Sequence, residues 1–149
     1  MHQKSVNNRM AFYVLVVAII VGIVSLILVR PPVPKTMGEF FPPLEQIEYF
    51  NIAAEGEVTG RNVTRDREVI EEIVTMAQGI SMRNEQKSYM GKKYEGTMYH
   101  IQMAYSGTEY DFYICTDGSI YHANGKYFVE EKGDAQGLYD KLEAFCTGA

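Results

Sequence analysis

Two of the three histidines and one of the two cysteines lie in a tyrosine-rich stretch between residues 97 and 131, together with Asp111. Imidazole and thiolate groups are zinc ligands, and a cysteine beside a histidine can act as a nucleophile. His100, Cys115 and His122 are therefore the candidates for a metal site or for a Cys–His catalytic pair. Whether they can act together depends on the elements that position them.

This stretch has the pattern of a sheet. Apolar and polar residues alternate along it, as in strands that bury one face. The dipeptides Asp117-Gly118 and Asn124-Gly125 are typical of two-residue hairpin turns. A further two-residue loop near Gly107 keeps apolar residues opposite one another, whereas a three-residue loop would mix the faces. We therefore predict a four-stranded antiparallel meander.

The alternation also assigns the two faces of the meander. The face toward the core is predicted to carry Tyr99, Ile101, Met103, Phe112, Ile114, Tyr121 and Phe128. The opposite face is predicted to carry His100, Gln102, Asp111, Tyr113, Cys115, His122 and Tyr127. On that face His100 lies across from Cys115 or Tyr113. Tyr113 lies across from His122 and His122 across from Tyr127, so Tyr113, His122 and Tyr127 form a candidate interaction face.

Several observations argue against chemistry at this face. His100 and His122 are two strands apart, which is roughly 9–10 Å at the backbone. No residue is in place to orient the pair, and the sequence has no Gly-rich phosphate loop and no Cys-x-x-Cys motif. We therefore expect no enzymatic activity, no metal and no cofactor. A metal-binding or catalytic domain that uses His100, Cys115 and His122 is the alternative.

Two amphipathic helices accompany the sheet. The first follows a capping residue, Thr64 or Asp66, and presents an apolar stripe from Val69 to Ala77 before Gly79 ends it. The second occupies residues 134–146. One strand or two are predicted upstream, in residues 46–60. Residues 81–96 are predicted to form a loop, with a short edge strand as the alternative. The predicted fold class is α+β, with an antiparallel sheet packed against two helices.

A long apolar run precedes this domain. Residues 11–29 form nineteen consecutive positions without a charge. As a helix they would extend roughly 28 Å, which is close to the thickness of a bilayer core. The run is longer than the apolar part of a cleaved signal peptide, and no small-residue cleavage pattern follows it. We predict a retained transmembrane signal-anchor at residues 11–29 that contacts the lipid bilayer.

The flanking segments complete the predicted organisation. Residues 1–10 form a short tail without acidic residues, which favours a cytoplasmic tail and an extracytoplasmic C-terminal domain. Residues 30–43 contain all five prolines and are predicted to be a semi-rigid linker. Residues 44–149 are predicted to be a single soluble domain.

The net charge of the domain limits the partners that it can bind. Residues 36–149 hold ten basic and nineteen acidic residues, a net charge of −9. This excludes nucleic acid as the expected partner, because a phosphate backbone requires a basic surface.

The two cysteines, Cys115 and Cys146, lack metal-site spacing, and we expect two separate buried thiols. A disulfide between them is the alternative if the domain lies outside the cell.

Three segments carry a resemblance to a known group of domains. They are TRDREVIEEIV (residues 64–74), EYDFYICTDGSIY (residues 109–121) and the closing helix. Together they resemble small uncharacterised domains of membrane-anchored or lipid-modified proteins in low-GC Gram-positive bacteria. The resemblance covers residues 47–146 and implies an extracytoplasmic α+β domain. It departs from the lipid-modified members, because no processed cysteine is present, and it implies no activity.

The sequence therefore predicts a single-pass protein of the cell membrane that presents a small acidic binding domain outside the cell. Its expected partner is a protein of the cell envelope. A regulatory tether that faces the cytosol is a further alternative, in which case both cysteines would be reduced in cells.

Overall fold

A computed structural model describes residues 12–23, 35–83, 94–122 and 125–149. The chain divides into two compact units, residues 1–33 and 34–149. In the first unit, helix α1 occupies residues 12–23, and the remainder of the predicted span lies outside the described residues. Among the described residues, no helix is both long enough and apolar enough to cross a membrane.

The second unit is built on an antiparallel sheet of seven strands in the order β2-β1-β4-β5-β6-β7-β3. The strands are β1 (Ile47–Gly56), β2 (Gly60–Thr64), β3 (Met82–Arg83), β4 (Thr97–Tyr105), β5 (Thr108–Cys115), β6 (Ser119–His122) and β7 (Gly125–Val129). The predicted meander is confirmed as β4 to β7. Strand β3 is a two-residue edge strand, and most of the predicted loop after it lies outside the described residues.

The hairpin between β4 and β5 has the predicted two-residue loop. Ser106 and Gly107 have φ angles of 49° and 74°, as both central residues of a type I′ turn require. Ile101 pairs with Phe112 across the two strands. The matching of apolar faces therefore identifies this register correctly.

The loop between β5 and β6 has three residues, Thr116 to Gly118, where the sequence predicts two. The amide of Gly118 donates to the carbonyl of Cys115 at 2.9 Å, and Gly118 has a φ of 88°. A type I turn followed by a left-handed residue has this pattern. Tyr113 consequently pairs with Tyr121 rather than with His122. A shift of one residue turns every side chain to the other face, so the predicted faces of β6 and β7 are wrong.

Two helices cover one face of the sheet, as predicted. They are α2 (Arg67–Gln78) and α3 (Gln136–Thr147). Asp66 caps α2 by accepting a hydrogen bond from the amide of Glu68 at 3.0 Å. The core that they share with the sheet includes Phe50, Ile52, Ile70, Ile73, Val74, Ile101, Phe112, Ile114, Ile120, Leu138 and Leu142.

The N-terminal part of this unit departs from the prediction in two places. Residues assigned to the proline-rich linker form a 3-10 helix, Met37–Phe40, and Met37, Phe40 and Phe41 are buried in the core. A second 3-10 helix occupies Leu44–Gln46. Strand β2 lies where the sequence predicted the approach to the first helix. The domain therefore begins before residue 44.

Candidate functional site

The sheet separates the residues that the sequence proposed as a metal or catalytic set. His100 and Cys115 lie on the face away from the helices, which we call the outer face. His122 lies on the helix-covered face, where its ring contacts Phe40 with 5.3 Å between ring centroids. Among the described residues, no group of three or more His, Cys, Asp or Glu side chains could hold a metal ion.

The candidate interaction face is divided in the same way. Tyr113 lies on the outer face, whereas Tyr127 contacts Phe40 on the helix-covered side with 5.2 Å between ring centroids. His122 pairs with Gly125 across the strands, not with Tyr127. The one-residue error in the loop between β5 and β6 places His122 and Tyr127 on the other face from Tyr113, because β6 and β7 both follow that loop. The changed partner of His122 has a separate cause, because Gly125 begins β7 instead of lying in the turn before it.

The two thiols are buried and are not joined in a disulfide, as predicted. Cys115 belongs to a small cluster on the outer face with Met98 and Tyr121. Cys146 lies in the main core, where its Sγ is 3.6 Å from the carbonyl oxygen of Ile52. Burial raises the pKa of the Cys146 thiol to about 11, which makes it a poor nucleophile near neutral pH.

A row of hydrogen-bonded side chains crosses the outer face from β2 to β4. Arg61 Nε donates to Asn51 Oδ1 at 2.8 Å, and Asn51 Nδ2 donates to Gln102 Oε1 at 2.8 Å. These residues lie on three neighbouring strands, and each strand places its residue at a position that alternates away from the core. Every amide and guanidinium in the row is thereby held in a defined orientation.

A second hydrogen-bonded pair lies beside this row, on β4 and β5. Gln102 pairs in register with Asp111, whose Oδ2 lies 2.9 Å from His100 Nε2. The imidazole of His100 is stacked on the ring of Tyr113, with 4.3 Å between centroids and 13° between planes. We call the five residues Arg61, Asn51, Gln102, Asp111 and His100 the polar ladder.

A groove of about 600 Å³ runs along the ladder. Six of its lining residues occupy outward positions on the strands: Tyr49, Asn51, Arg61, Gln102, Glu109 and Asp111. Hydrogen-bond donors lie at the β2 end and carboxylates at the β5 end. The groove can bind a polar ligand, but its outward side chains include no cysteine, serine or lysine nucleophile.

The sequence pattern identifies only part of this ladder. It places His100, Gln102 and Asp111 on one face, and the structure confirms this. Asn51 could have been found from its position between Phe50 and Ile52, which are both buried. Arg61 could not have been found from the sequence, because its place in the ladder depends on strand β2, which was not predicted.

No protein-family model, curated protein or solved structure matches the chain.

Proposed function

We propose that this chain is a single-pass membrane protein that presents its C-terminal domain outside the cell as a non-enzymatic binding module. The outer face of the sheet is the recognition surface. The partner is a component of the cell envelope.

The proposed binding role is inferred from the difference between the two faces of the sheet. Both helices pack on one face, where the apolar side chains are buried. The outer face instead carries the polar ladder, with side chains oriented by one another along a groove. Polar groups that are already held in place lose less conformational entropy when a ligand binds. An ordered polar groove therefore suits recognition better than an ordinary solvated surface would.

Two observations support the membrane anchor. Residues 11–29 lack any charge. In helix α1, nine large apolar residues are each more than half exposed, among them Phe12, Leu15 and Ile20. An apolar surface of this extent is unfavourable in water, and a lipid bilayer would bury it. The resemblance to anchored bacterial domains favours the same location.

The short N-terminal tail supports the proposed orientation. Residues 1–10 hold Lys4 and Arg9 and no acidic residue, and positive tails tend to stay in the cytoplasm. The acidic domain would then be outside, where it is separated from nucleic acid and from the anionic cytoplasmic leaflet.

Protease treatment of intact cells, with an epitope tag after Ala149, tests this topology. We expect the tag to be lost from intact cells while a cytosolic marker stays intact. Protection until lysis would overturn the extracytoplasmic placement and favour a tether that faces the cytosol.

A paired substitution tests the anchor itself. Val17→Arg combined with Ile20→Arg should shift the protein out of the membrane fraction, because two charges in the span oppose insertion. Val17→Leu combined with Ile20→Leu is the matched control and should remain in that fraction. If the arginine variant also remains there, the proposed span is wrong.

A further inference from the structure

We propose that the groove along the polar ladder binds a saccharide of several linked sugar rings. The inference rests on the proposed function, in which the outer face is the recognition surface. It names the class of ligand that this surface accepts.

The β2 end of the groove offers donors. Arg61 uses Nε for Asn51, and its two Nη groups donate to none of the described residues. Gln102 accepts through Oε1, and its Nε2 likewise donates to none of them. Because the amide and guanidinium are planar and their orientation is fixed by the ladder, these N–H groups point in set directions.

The β5 end offers acceptors. Asp111 contacts His100 through Oδ2, which leaves Oδ1 for a ligand. Glu109 lies two residues away on the same strand and also lines the groove. Ionised carboxylates accept hydrogen bonds and donate none, so this end requires a ligand that carries donors.

A saccharide matches both ends at once. Each hydroxyl group donates one hydrogen bond and accepts two, so one run of hydroxyls can satisfy the N–H groups of Arg61 and Gln102 and the oxygens of Asp111. The ladder crosses four strands, which is roughly 14 Å at ordinary strand spacing. A single sugar ring is too short for that length. Tyr49 adds an aromatic ring to the groove, against which the apolar face of a sugar can pack.

Charged ligands match less well. An anion would meet Arg61 but also the carboxylates of Glu109 and Asp111. A lysine-rich segment would bind those carboxylates, yet its cationic side chains have no acceptor for the N–H groups of Arg61 and Gln102. Mixed donors and acceptors along one groove therefore favour a neutral polyhydroxyl ligand.

Calorimetric titration of the full chain tests this inference, in a detergent without a sugar headgroup. The probes are chitotetraose, cellotetraose and octalysine. We expect at least one tetrasaccharide to bind with a dissociation constant of about 1 mM or tighter. Gln102→Leu and Arg61→Ala should each weaken binding about ten-fold, as loss of one good hydrogen bond predicts. Arg61 is exposed, so its variant leaves the core intact.

Gln136→Leu is the matched control, because Gln136 also makes one side-chain hydrogen bond, to Asp140, but lies on α3. It should bind like the parent. Absence of saccharide binding at about 10 mM, or equal weakening in the control, would overturn the inference. Octalysine binding that Asp111→Asn abolishes, without saccharide binding, would also overturn it and assign the groove to a cationic polypeptide. Each of these results leaves the membrane topology untouched, since protease treatment tests that separately.

Discussion

The hydroxyl of Tyr110 lies 3.0 Å from Nε2 of His122, and Nδ1 of the same imidazole lies 3.3 Å from the carbonyl oxygen of Asp111. Both contacts are satisfied by one neutral tautomer, in which Nδ1 donates to the carbonyl and Nε2 accepts from the phenol. His122 thereby links β6 to β5 through both of its ring nitrogens.

Removal of the Tyr110 hydroxyl should destabilise the domain. Tyr110→Phe leaves Nε2 of His122 without this donor, and we expect the free energy of unfolding to fall by about 1 kcal/mol. Urea denaturation of residues 34–149 measures the change. An unchanged midpoint would show that water replaces the phenol at no cost.

Replacement of Tyr139 by phenylalanine should have the opposite effect on the free energy of unfolding. The hydroxyl of Tyr139 is buried, and within the described part of the chain it has no hydrogen-bond partner. Tyr139→Phe removes an unsatisfied polar group while it keeps the ring, so the free energy of unfolding should rise by about 1 kcal/mol. The two tyrosine variants control for each other in one denaturation series. Loss of stability in Tyr139→Phe would mean that the hydroxyl does have a partner.

The sheet illustrates what sequence patterns can and cannot predict. The loop at Ser106-Gly107 follows from the pattern, because only one loop length keeps apolar residues opposite each other. At Asp117-Gly118 the local sequence predicts the wrong loop length. The side chain of Asp117 accepts from the amide of Ser119 at 2.8 Å and stabilises a three-residue loop. A dipeptide that suits two turn types does not determine which of them forms.

The candidate site depends on contacts that are distant in sequence. Asn51 and Gln102 are brought together by the pairing of β1 with β4, and Arg61 joins them through β2. No local signal marks β2, whose three central residues, Arg61 to Val63, are exposed. Alternation can thus predict the part of the ladder on β4 and β5. Alternation also marks Asn51 as an outward position on β1, but its contacts with Gln102 and Arg61 depend on the order of the strands in the sheet.

High pH should destabilise the domain. Burial raises the pKa of Tyr99 and of Tyr110 to about 12, from an ordinary value of 10.0, and raises that of Cys146 to about 11, from 9.0. The unfolded chain releases these protons more readily than the folded one. Stability from these groups is therefore complete below about pH 9 and is lost as the pH rises toward 12.

The free energy of unfolding, measured in urea at about pH 8 and about pH 10.5, tests this dependence. We expect the lower value at the higher pH. Tyr110→Phe should show a smaller decrease between the two conditions, because one of the buried phenols is gone. An equal or higher stability at the alkaline pH would contradict the burial of these groups.

The register of β6 can be tested through Ile120. In the structure Ile120 is fully buried in the main core, whereas the predicted two-residue loop would turn it outward. Ile120→Ala should lower the free energy of unfolding by about 2–5 kcal/mol, since it opens a cavity in a packed core. Val63→Ala is the matched control, because Val63 is an aliphatic strand residue that is 56% exposed. Its effect should stay within about 0.5 kcal/mol. If Ile120→Ala lowers the free energy of unfolding no more than Val63→Ala does, β6 has the register of a two-residue loop. His122 would then lie on the same face of the sheet as His100.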